Sequence, residues 1–129
     1  MSVQQPKYMI NGYLSEGAES DFLSRNRAFR LGDGFFETIR VVDGHIPFWE
    51  AHYKRLVATC KALRMELSPV LKSDFLLRSM QELISAQQIR EGGRLRITIF
   101  REGGGAYTSD SNRAGYVAEI VSYFPNRFV

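Results

Sequence analysis

The amino-acid sequence predicts an α+β fold, a largely antiparallel sheet with two helices packed on it. Three observations point there: aromatic and β-branched stretches joined by tight-turn dipeptides near the start, two stretches of helical apolar spacing in the middle, and a strictly alternating stretch towards the end. A length of 129 residues suits one core, so residues 1–129 are read as a single domain.

Taken in order, Tyr8-Met9-Ile10, Asn11-Gly12 and Tyr13-Leu14 predict a short hairpin, because Asn-Gly supplies the positive φ angles of a type I′ turn. Ser15 to Arg30 is polar and without period, a surface connection carrying Arg25, Arg27 and Arg30. Phe35 to Val42 reads as a strand, and Asp43-Gly44 predicts a turn into His45-Ile46-Pro47-Phe48, hence a second hairpin. Trp49, Tyr53, Leu56, Val57, Cys60 and Leu63 form one helical stripe, with Lys54, Lys61 and Arg64 off it. Ser68-Pro69 reads as the N-cap and first residue of a second helix, from Pro69 to about Gln88, burying Leu76, Met80, Leu83 and Ile84. Gly92-Gly93 ends that region. Leu95, Ile97 and Ile99 then alternate with Arg94, Arg96 and Thr98, which puts the aliphatics on the core side and both arginines on the other. Arg101 to Tyr107 reads as a flexible turn, and Tyr116 to Phe124 as a last strand closed by Pro125.

Composition excludes several classes. With 44% hydrophobic and 24% charged residues the chain can fill an interior, which argues against disorder. The net charge of +3 comes from 17 basic and 14 acidic residues scattered along the chain, too mild a bias for a nucleic-acid surface. The single cysteine, Cys60, can make no internal disulfide, and no Cys/His cluster has metal-ligand spacing. No apolar run approaches the ~20 residues that span a bilayer. Together these predict a cytoplasmic protein with no membrane or nucleic-acid partner and no metal.

Few residues offer chemistry by pattern. Gly32-Asp33-Gly34 precedes a strand rather than following one, and Gly103-Gly104-Gly105 lacks the lysine of a P-loop, so both read as turns. Cys60 lies on the buried stripe, while His45 and His52 read as surface or capping residues. Arg55, between Tyr53 and Leu56, and Arg96, within a hydrophobic strand, each admit two readings: a ligand anion or a structural ion pair.

The run Asn26-Arg27-Ala28-Phe29-Arg30-Leu31-Gly32-Asp33-Gly34-Phe35-Phe36-Glu37-Thr38-Ile39-Arg40, then Asp43-Gly44, then His52-Tyr53-Lys54-Arg55-Leu56, resembles the amino-terminal part of the class IV aminotransferases. These fold-type IV enzymes use pyridoxal 5′-phosphate and include branched-chain aminotransferase, D-amino-acid aminotransferase and aminodeoxychorismate lyase. The match in order and spacing runs from about Tyr8 to Phe124. The resemblance implies that Arg55 holds the cofactor phosphate, and that Phe36, Arg96 and Tyr107 border the substrate pocket. It implies no catalytic residue in this chain. The lysine that forms a Schiff base with the cofactor belongs to the family's second domain, and none of Lys7, Lys54, Lys61 and Lys72 matches its position, so that domain is expected to be absent here. The expected role is therefore the N-terminal domain of an amino-acid/2-oxo-acid transaminase, inactive alone and homodimeric when complete. The alternatives are an aminodeoxychorismate lyase-type enzyme, or a non-catalytic dimerising module.

Overall fold

The structure, a computed structural model, describes residues 7–16, 34–102 and 112–123. Strands β1 (Lys7–Ile10) and β2 (Tyr13–Glu16) form the first hairpin, followed by β3 (Gly34–Val42), α1 (Trp49–Ala62), β4 (Glu66–Leu67), α2 (Ser73–Ala86), β5 (Gly92–Arg101) and β6 (Arg113–Tyr123). The sheet order is β2-β1-β6-β5-β3, all antiparallel, with β4 added parallel to β6. This is the α+β architecture the patterns predict.

The first turn forms as expected, with Asn11 at φ 49° and Gly12 at φ 90°. The Asn11 side chain accepts the Tyr116 N–H at 2.8 Å, which ties the turn to β6. The second hairpin is only half present. Asp43 and Gly44 take positive φ, and Val42 and His45 exchange backbone hydrogen bonds at 2.8 and 2.9 Å, but the return arm stops at that one bridge. Pro47 has no N–H to continue a ladder, and Phe48 turns the chain into α1. Instead, β3 pairs along its whole length with β5.

Helix α1 ends at Ala62, so Leu63 leaves the expected stripe and is exposed. Its carbonyl accepts a hydrogen bond from Arg101 Nη2 at 2.9 Å. The second helix also differs from expectation. Pro69–Leu71 is a separate 3-10 turn, Lys72 is extended, and the α-helix starts at Ser73. The Ser68 hydroxyl donates to the Ala114 carbonyl instead of capping, and the Leu71 carbonyl is taken by the Tyr53 hydroxyl at 2.7 Å. Gly92 and Gly93 open β5 rather than closing the helical region. At Gly93 a Cβ would stand 3.0 Å from the Val121 carbonyl oxygen, so the close approach of β6 favours glycine. The last strand starts earlier than expected, at Arg113. The connection over residues 17–33 and the glycine-rich segment with Tyr107 lie outside the described residues.

The core lies between one sheet face and the helices. Ile39, Val41, Leu95, Ile97, Ile99, Tyr116 and Ala118 face Leu56, Cys60, Leu76, Met80, Leu83 and Ile84. The four residues expected on α2 are all buried there. The opposite face carries Phe36, Thr38, Arg40, Arg94, Arg96 and Val121. Phe36 and Val121 on that face are 60% and 59% exposed.

Candidate functional site

Among the described residues strand β3 lies at one end of the sheet, and its pleat sends alternate side chains to the two faces. Phe35, Glu37, Ile39 and Val41 point towards the helices, while Phe36, Thr38 and Arg40 point away. Glu37 is the polar exception in the helix-facing row. On α1, His52 and Arg55 are three residues apart and share a face. Both meet Glu37: His52 Nδ1 and Arg55 Nε each lie 3.0 Å from its Oε2. The carboxylate side chain is 13% exposed and that of Arg55 is 61% exposed. Arg55 therefore makes an ion pair through Nε while the rest of its guanidinium remains available to an anion. His52 is half-buried and bonded, rather than the surface or capping residue that its position in the sequence suggests.

On the other face of β3, the guanidinium of Arg96 sits 5.1 Å above the centre of the Phe36 ring. The ladder explains this, since Thr38 is opposite Arg96 and Phe36 is its diagonal neighbour. Arg96 also approaches Glu119 at 3.9 Å, with both side chains about half exposed, a pairing too loose to consume its charge. So the structure joins Phe36 with Arg96, and Arg55 with Glu37 and His52, on opposite faces of one strand. The sequence pattern alone assigned no role to Glu37. The available signal was a carboxylate in an otherwise core-facing row.

Burial acts on three other titratable groups. Burial pushes the Cys60 thiol up to about 11 and also raises Tyr53, on which the neighbouring Cys60 acts in the same direction. Burial likewise raises Tyr116, whose hydroxyl makes no hydrogen bond of ordinary geometry although the Ser79 side chain and Gly12 backbone are close enough to act on it. Among the described residues no His/Cys/Asp/Glu group could hold a metal ion, and no helix is long and apolar enough to cross a membrane.

The family model for amino-transferase class IV matches residues 34–127, a span that includes β3, the Glu37–Arg55 pair and Arg96. The chain belongs to that family.

This class IV domain is 29% identical over 120 residues to the D-alanine aminotransferase of Bacillus licheniformis, covering 92% of the chain and 41% of that protein. It is 30% identical over 105 residues to the aminodeoxychorismate lyase of Vibrio harveyi, covering 81% of the chain and 36% of that protein. The domain thus spans about two fifths of the length of these curated relatives. Its fold is that of the branched-chain aminotransferase of Thermoproteus uzoniensis solved with norvaline, with a TM-score of 0.77 at 16% identity over 94% of the chain and 42% of that protein. The T.th. branched-chain amino acid aminotransferase solved with pyridoxamine 5′-phosphate gives a TM-score of 0.77 at 19% identity, covering 98% and 43% of the two chains.

Proposed function

We propose that the class IV domain is the phosphate-anchoring part of a pyridoxal-phosphate enzyme that exchanges an amino group between an amino acid and a 2-oxo acid. The observation that carries this reading is Arg55: a 61% exposed guanidinium engaged through Nε, with its Nη groups left for a second anion. That donor set fits a phosphate, because a guanidinium offers a planar fork of charged N–H groups and keeps its charge at neutral pH. Pyridoxal phosphate, when bound, supplies an electron-accepting ring for the bonds at the substrate α-carbon. Arg55 holds the phosphate and so orients that ring. Phe36 and Arg96 border the substrate, the ring by contact and the guanidinium by its attraction for a carboxylate. Tyr107, outside the described residues, keeps only the substrate-side role that the resemblance implies.

The tethering lysine is assigned to a further domain. Lys54, Lys61 and Lys72 are exposed, and Lys7 Nζ donates to the Ala86 carbonyl at the end of α2. Assembly as a homodimer in the cytoplasm completes the reading, and the free, buried thiol of Cys60 suits a reducing compartment. The relationship to the Vibrio harveyi protein supports a second reading, elimination from aminodeoxychorismate. The complete enzyme distinguishes them: glutamate formed from 2-oxoglutarate supports transamination, and pyruvate release supports the lyase.

The anchor itself is tested on this chain by calorimetric titration with pyridoxal phosphate and with pyridoxal. Arg55→Ala is expected to weaken pyridoxal phosphate by about 1.5–3 kcal/mol, the range for a charged hydrogen bond, and to leave pyridoxal unchanged. Equal affinity for pyridoxal phosphate in both proteins refutes the anchor.

A further inference from the structure

Glu37 stands where the alternation of β3 calls for an apolar side chain. Phe35, Ile39 and Val41 in the same row pack on the core. A carboxylate that is 13% exposed loses much of its hydration, and it is tolerated there when charged or hydrogen-bonding partners replace the water. Two partners do so at one oxygen, since Oε2 lies 3.0 Å from both His52 Nδ1 and Arg55 Nε. An ionised carboxylate only accepts, so Nδ1 of His52 carries the donated proton in this arrangement.

We infer that Glu37 is the positioning residue of the anion anchor: it holds Arg55 by Nε so that the Nη edge is presented to an incoming phosphate, while His52 keeps the carboxylate against the sheet. The inference deepens the anchor reading above and rests on it. An exposed arginine without such a tether must freeze several rotatable bonds when an anion arrives, which weakens binding by roughly tenfold. Against this, the negative charge of Glu37 repels the phosphate it helps to receive. The two effects have opposite signs, and side-chain chemistry separates them. Glu37→Gln keeps an acceptor oxygen for Nε and removes the charge. Glu37→Ala removes both.

The test uses the full chain labelled with nitrogen-15. The Nε–H resonance of Arg55 is assigned by its loss in Arg55→Ala, and pyridoxal phosphate and inorganic phosphate are titrated into each variant. In the parent, where Nε lies 3.0 Å from Glu37 Oε2, the Nε–H signal is expected to exchange slowly with water. It is expected to persist in Glu37→Gln and to vanish in Glu37→Ala. Affinity for both phosphates falls about fivefold to tenfold in Glu37→Ala and is unchanged or tighter in Glu37→Gln. Should Glu37→Ala fail to fold, Glu37→Met fills the same row without an acceptor and must show the same losses. Phosphate binding in Glu37→Ala as tight as in the parent overturns the inference, as does an Nε–H signal that survives there. Retained phosphate affinity in Arg55→Ala instead defeats the anchor reading, and the Nε–H signal still decides whether Glu37 orders Arg55.

Discussion

Phe48 links the half-formed hairpin to α1, and it carries a conformational cost that can be measured. Its backbone sits at φ 61° and ψ 32°, the left-handed region, immediately before the helix and without a side-chain cap. A Cβ in that region crowds the following carbonyl, a cost of roughly 1–2 kcal/mol that glycine escapes. The ring is 80% exposed, so little packing holds it in place. Comparing Phe48→Gly with Phe48→Ala isolates the backbone, because both variants lose the same ring. Alanine keeps the strain, whereas glycine relieves it and in return loses about 0.5–1 kcal/mol of backbone entropy on folding. The expected outcome is glycine more stable than alanine by about 0.5–1 kcal/mol, the reverse of their order inside a helix. Urea unfolding followed by circular dichroism reads this as a higher midpoint at unchanged slope, and thermal unfolding as a difference of about 2–6 °C. Alanine equal to or more stable than glycine would show that Phe48 is unstrained, and the account of how the chain enters α1 would fail.

Two further predictions concern the scaffold. Arg101 joins the end of α1 to the sheet, its Nη2 donating to the Leu63 carbonyl at 2.9 Å and its Nη1 to Asn112 Oδ1 at 3.1 Å. Arg101→Ala should lower unfolding free energy by about 1 kcal/mol, and Arg101→Lys should restore only part of it because the fork is lost; a stability equal to the parent's would dismiss the link. Cys60, pushed up to about 11 from 9.0 by burial, stays protonated when folded but ionises when unfolded. Its contribution to stability is therefore intact below pH 9 and declines as pH approaches 11. Urea midpoints measured across that window should fall more steeply for the parent than for Cys60→Ala, and parallel curves would contradict the burial effect.

What could be read from the sequence was encoded by near neighbours. Asn11-Gly12 and Asp43-Gly44 carry their own turn conformations, the stripe through Leu56 and Cys60 marks a helix face, and Leu95, Ile97 and Ile99 mark a strand face by alternation. The run from Asn26 to Arg40, with Asp43-Gly44 and His52 to Leu56 after it, was sufficient to suggest the family. Partner choice was not encoded locally. That β3 pairs with β5 instead of folding back on His45, that β4 joins β6 in parallel, and that the Tyr53 hydroxyl takes the Leu71 carbonyl and breaks the expected second helix are decisions between segments distant in sequence. The candidate site divides in the same way. The residue types were visible, but only tertiary packing set Glu37 against both His52 and Arg55 and laid Arg96 over Phe36. A backbone group or buried charge is satisfied by whichever partner the assembled fold brings within hydrogen-bonding distance, and short-range spacing does not specify that partner.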